Sequence, residues 1–167
     1  KHLQMMSIGF GAFATAIYAG SRILKTVDMA AEFEQQLVEL KVKSGATSED
    51  LERMASLALN TSRKSAFSAL EVAKAMTELS KQGYSARQVM IAIPHAVNLA
   101  IAGTVGLTRG MEISLSVMNA FGMKIEDSAR ISDVLTMAAN QTNASVDSLG
   151  EAFKYVGPLV RSVGGDI

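Results

Sequence analysis

Cysteine is missing from this chain of 167 residues, which also holds only two prolines and two histidines. Without cysteine there is no disulfide framework, no thiol nucleophile and no zinc–thiolate site. Two prolines and 5% aromatic residues are too few for a β-sandwich, whose turns and pleated faces use more of both. An excess of either charge is missing too: 16 lysines and arginines balance 16 aspartates and glutamates. A protein that coats nucleic acid by neutralising phosphates carries a positive surplus, and Arg63-Lys64 is the only adjacent basic pair here. Sequence-specific nucleic-acid binding is therefore not expected. His2 and His95 lie far apart, and no H-E-x-x-H or EF-hand spacing occurs.

Chemistry that needs converging side chains has no visible seat. Glu49-Asp50 and Glu126-Asp127 are adjacent pairs, and neighbours on a helix point about 100° apart. Neither pair can face a substrate as a glycosidase's two carboxylates do. Both fall where a helix should open, and acids there complement its dipole. The stretch Gly103-Thr104-Val105-Gly106-Leu107-Thr108-Arg109-Gly110 lacks the G-K-[ST] of a phosphate loop and follows a helix instead of a strand, so it reads as a helix–helix connection. No G-x-S-x-G elbow occurs, and His95 has no orienting acid beside it. Asn60-Thr61-Ser62, Asn140-Gln141-Thr142 and Asn143-Ala144-Ser145 fit the glycosylation pattern but fall at expected helix ends and caps. The expectation is a protein without catalytic residues, metal or cofactor.

Helix-forming residues are plentiful: 49% of the chain is hydrophobic, with 24 alanines and 10 methionines. From Val27 to Val42, Phe33, Leu37 and Leu40 recur at i, i+4, i+7, and Ser44-Gly45 supplies a stop. Thr47 caps a helix carrying Leu51, Met54, Ala55, Ala58 and Leu59. Ser68-Ala69-Leu70-Glu71 and Ser85-Ala86-Arg87-Gln88 are capping boxes. The first leads Val72, Met76 and Leu79; the second leads Val89, Ile93, Val97, Ala100 and Ile101. That second helix is apolar nearly all round and contains Pro94, which suits a kinked, buried central position. Further helices run from about Thr108 to Phe121, from Glu126 with Ile131, Val134, Leu135 and Ala138 inward, and from Ser145 with Leu149, Phe153, Val156, Val160 and Val163. The predicted fold is all-α: a bundle of about six or seven helices, a long N-terminal helix followed by short hairpins. Caps at Thr47, Ser68, Ser85, Thr108 and Ser145 are unevenly spaced, which argues against a fixed-repeat solenoid.

Residues 1–25 form a separate hydrophobic segment ahead of the helical domain 26–167. His2 to Ser21 is uncharged and long enough to span a bilayer as a helix. Ala12, Ala16 and Gly20 sit four apart, on one face where another helix can approach closely. Two readings follow: contact with partner helices, or a membrane-active protein that inserts this segment into a host envelope. The start on Lys1 and the finish at Gly164-Gly165-Asp166-Ile167 lead us to expect a piece of a longer chain.

An ordered set of short strings is more specific than any one cap. It runs through Phe33-Glu34, Ser44-Gly45-Ala46-Thr47, Phe67-Ser68-Ala69 with Glu71-Val72-Ala73, Ala92-Ile93-Pro94 and Leu99-Ala100. It continues with Ala120-Phe121-Gly122, Ala129-Arg130, Asp133-Val134-Leu135, Ala138-Ala139-Asn140, Ser148-Leu149-Gly150-Glu151-Ala152 and Tyr155-Val156-Gly157-Pro158. In this order and spacing the chain, from about Asp28 to Gly164, resembles the core region of phage tail tape-measure proteins. Leu70 and His95 depart from the family's habit. The resemblance implies a structural virion protein of the tube lumen and tail tip, made in the host cytoplasm, that sets tail length and leaves ahead of the DNA. It also implies homo-oligomers of three or six copies, and contacts with tail tube, tail tip or baseplate hub proteins and assembly chaperones; contact with the host membrane is the expectation that goes with the apolar segment His2–Ser21.

Overall fold

The computed structural model describes residues 27–165. Among those residues the chain forms seven α-helices and a 3-10 turn, with no strand. They are α1 (Val27–Ser44), α2 (Ser48–Lys64), α3 (Ala69–Lys81), α4 (Ala86–Ala102), α5 (Leu107–Phe121), the turn Ile125–Asp127, α6 (Ser128–Gln141) and α7 (Val146–Ser162).

The ends are set locally. Thr47 Oγ1 accepts from Asp50 N at 3.1 Å to open α2, and Ser145 Oγ accepts from Ser148 N at 3.1 Å to open α7. Both capping boxes close in both directions. Ser68 Oγ accepts from Glu71 N at 3.2 Å while Ser68 N donates to Glu71 Oε2 at 2.8 Å; for Ser85 and Gln88 the distances are 3.4 and 3.1 Å. Gly45 ends α1 at φ +61 and Gly122 ends α5 at φ +67, the left-handed conformation that glycine adopts without a Cβ penalty. Three helices then fold back in the same way: Tyr84 N, Val105 N and Met123 N donate to Leu79 O, Ala100 O and Met118 O at 3.3, 2.9 and 2.9 Å. Tyr84, Val105 and Met123 thereby pack on the core.

Helix α4 occupies the centre, against α2, α3, α5, α6 and the 3-10 turn, which is why its sequence is apolar nearly all round. It runs through Pro94 to Ala102. Ile101, expected inward, is instead 51% exposed although Leu99 and Ala100 of the same turn are buried; it faces the cleft beside Pro94 and Val97. Glu126-Asp127 form a 3-10 turn ahead of α6, held by Lys124 N donating to Asp127 Oδ2 at 2.9 Å. On one side α1 packs on α3 and on the other α7 packs on α5. Phe33, Leu37 and Leu40 are buried, and within the α1–α3 contact Gln36 Nε2 donates to Thr77 Oγ1 at 2.9 Å. Thr77, itself buried, donates onward to Ala73 O at 3.0 Å, so the polar groups enclosed between these helices are satisfied.

Candidate interaction surfaces

The contact of α7 with α5 is built on missing side chains. A Cβ on Gly150 would lie 2.5 Å from Ile113 Cγ2, and one on Gly157 would lie 2.7 Å from Ala120 Cβ and 3.0 Å from the Phe121 ring. Two glycines seven apart bring the helices close along two turns of contact. Phe153 lies between them and meets Phe121 edge-on, with ring centroids 5.9 Å apart at 67°. At the open end of the contact Arg109 of α5 reaches α7. Its Nε donates to Asp147 Oδ1 at 2.6 Å, its Nη2 to Glu151 Oε1 at 3.0 Å and its Nη1 to Glu112 Oε2 at 3.5 Å. Hydrogen bonds to Asp147 and Glu151, more than simple charge, hold the guanidinium above its usual range. The side chain is 39% exposed, so solvent screens the cluster and its worth is about 1 kcal/mol or less per pair.

The expected contact residues are distributed unevenly. Phe33, Leu37 and Leu40 lie in the α1–α3 contact, and Leu149 and Phe153 are half-buried against the core. Val156 departs from the expected stripe, being 46% exposed, and Val163 is 84% exposed. The reason is rotation: α7 turns Gly150, Phe153 and Gly157 to α5, which swings Val156 away. Ala12, Ala16 and Gly20 lie outside the described residues. Sequence reasoning missed Gly150, Gly157 and the Arg109 cluster. Two glycines inside a predicted helix were the available signal, since glycine there costs about 1 kcal/mol and marks a close approach when retained.

No catalytic set assembles among the described residues. Ser68 and Ser85 act as helix caps, and His95 is half-buried on α4. No group of three or more His, Asp or Glu is placed to hold a metal ion among the described residues. Clefts of about 260, 430 and 330 Å³ lie beside Pro94, Phe67 and Lys74, lined by mixed polar and apolar residues. No single described helix is long and apolar enough to cross a membrane. The bent pair α4–α5 meets that test by length and composition, but most of its apolar residues are buried in the core of the bundle.

The described residues form an all-α bundle whose helices meet through apolar and small-residue faces, with Arg53, Lys81 and Arg109 held in ion pairs. Residues 55–167 match the family described as phage-related minor tail protein, and the chain belongs to that family. It is 33% identical over 139 residues to the tape measure protein of Pneumococcus phage Dp-1, a match covering 83% of this chain and 12% of that protein. It is 28% identical over 159 residues to the probable tape measure protein of Escherichia phage P2, covering 93% of this chain and 19% of that one. The chain thus spans less than a fifth of the length of either relative. No solved structure matches it.

Proposed function

We propose that this chain is a segment of a tape-measure protein, the structural component of a phage or phage-like tail that sets tail length. The observation that carries the reading is the 33% identity to a tape measure protein across 83% of the chain. The all-α architecture supports it, since a helical chain converts residue number into length at about 1.5 Å per residue. Even as one continuous helix this segment would reach only about 250 Å, so measuring a tail needs the greater length that both relatives have. The protein is not an enzyme in this segment. It lies in the tube lumen and at the tip, is made in the host cytoplasm, where it meets assembly chaperones, and leaves ahead of the DNA.

A closed bundle of this size would have a radius of gyration of about 15 Å and measure about 40 Å across. Several such balls cannot share a narrow lumen. Hairpins of short helices can exchange contacts within a chain for contacts between chains, because similar apolar stripes serve either arrangement. In the assembled tail three or six copies pack around a common axis near the tip. They touch tube and tip or hub proteins, with the N-terminal segments meeting through Ala12, Ala16 and Gly20. Cryo-electron microscopy of the intact tail tests this. Rotationally arranged copies on the tail axis are expected; one isolated bundle with its N-terminal segment in water would overturn it.

A further inference from the structure

Among the seven helices α7 is held the most lightly. Its buried residues are Val146, Gly150 and Gly157, so Val146, at the first position, is the one buried side chain in a helix of 17 residues. By contrast α4, of the same length, buries eight residues, and α1 buries Phe33, Leu37 and Leu40. Leu149, Phe153 and Val160 of α7 are only half-buried. Burial of apolar surface is the main source of stability, and little of it depends on α7. The helix is also intrinsically weak, since it contains Gly150, Gly157 and Pro158, and glycine and proline are the poorest helix formers.

The way α7 is attached suits movement. Residues 142–144 join it to α6; Thr142 and Asn143 are exposed, and Thr142 is extended at φ −128 and ψ 172. At this end Val146 seats on Gly103, where a Cβ would stand 2.8 Å from Val146 Cβ. Beyond that seat Gly150 rests on Ile113, Gly157 on Ala120 and Phe153 on Phe121. The remaining tie to α5 is charge: Arg109 bonds Asp147 at 2.6 Å and Glu151 at 3.0 Å. The three side chains are between 39% and 47% exposed, and attraction between charges so open to water weakens with added salt.

We propose that α7 is a strap, which swings off α5 and α6 as one unit about residues 142–144 while α1 to α6 stay folded. The pairs of Arg109 with Asp147 and Glu151 are a salt-sensitive latch on that movement. Release uncovers Ile113, Ala120 and Phe121 of α5, a face already shaped to a helix that bears glycines. This is the first contact the bundle gives up, and it gives the exchange of contacts between copies a place to start. The strap is a property of the bundle itself and does not depend on the tape-measure reading.

Native-state hydrogen exchange of the 167-residue chain, read by mass spectrometry across low urea concentrations, tests both parts. Amides of α7 should exchange about 100-fold or more faster than those of α4. Their rates should also depend less on urea, because a partial opening exposes less surface than unfolding. Raising sodium chloride from about 0.01 M to about 1 M shortens the Debye length from about 30 Å to about 3 Å. That change should speed exchange in α7 about threefold to tenfold, while α3 and α4 change little. Arg109→Gln should speed it as much at low salt and abolish the response to salt. Glu112→Gln, which removes a 3.5 Å contact within α5, should leave α7 unchanged. Exchange of α7 and α4 at one rate, with one urea dependence, would overturn the strap. A salt response shared by all helices, or one that survives Arg109→Gln, would overturn the latch.

Discussion

Gly150→Ala sets two opposed effects against each other at one atom. Alanine in place of a helical glycine favours α7 by about 1 kcal/mol. The new Cβ, however, would stand 2.5 Å from Ile113 Cγ2, and Ile113 is buried against α5's neighbours with little room to move. Overpacking of this kind costs about 1–3 kcal/mol. The clash should win, leaving a net loss of about 1 kcal/mol and a lower Tm by roughly 2–4 °C. Ile113→Ala alone opens a cavity and should cost about 3–4 kcal/mol. In the double variant the alanine at position 150 occupies part of that cavity, so the two losses should fall short of their sum by about 1–2 kcal/mol. Urea unfolding of the 167-residue chain, followed by circular dichroism, gives all four corners of the cycle. If Gly150→Ala is stabilising, or the two losses add to within about 0.5 kcal/mol, the close approach of α7 to α5 is wrong.

Other expectations can be read from the same assay. Phe33→Ala should cost about 4 kcal/mol, since Phe33 is buried, and Phe153→Ala about 2 kcal/mol, since Phe153 is only half-buried; equal losses would contradict the orientation of α7. Ser68→Ala and Ser85→Ala should each cost about 1 kcal/mol by removing a cap, and neither should be rescued by changes elsewhere on the surface. Ser128 Oγ is buried without a hydrogen-bond partner, so Ser128→Ala should leave stability unchanged or raise it by up to about 1 kcal/mol; a loss of several kcal/mol would show that the hydroxyl is bound. Hydrogen bonds from Lys81 to Glu78 and Glu39 raise the pKa of Lys81 above 10.5, and burial raises that of Tyr84 above 10.0. Both groups bind protons more tightly when folded, so their contribution is full at neutral pH and is lost as pH rises through the alkaline range. A fall in stability between neutrality and mildly acidic pH driven by either group would have the wrong sign.

The parts of the fold that were legible beforehand are the local ones. A cap is a hydroxyl and an amide three residues apart, so Thr47, Ser68, Ser85 and Ser145 could be read from the string alone, and the structure closes each bond. The stripes of α1 to α3 were legible because the residues that recur at helical spacing there, from Phe33, Leu37 and Leu40 to Val72, Met76 and Leu79, are all covered. Periodicity shows which face of a helix is apolar; it does not show whether a neighbour is present. That is why Val156 and Ile101 were misplaced. The α7–α5 contact depends on glycines, which leave no apolar signal, and on Arg109 meeting acids 38 and 42 residues away, a pairing that exists only once the helices are packed.

The most direct test of the central claim is tail length itself, measured by electron microscopy in particles whose gene for the full-length protein carries in-frame deletions and duplications. If the protein is a ruler, length should follow residue number linearly, at about 1.5 Å per residue for a fully helical stretch. A deletion of about 100 residues would then shorten the tail by about 150 Å, and a duplication would lengthen it by the same step. Tails of unchanged length, assembled from a protein that is stably present in the particle, would contradict the account.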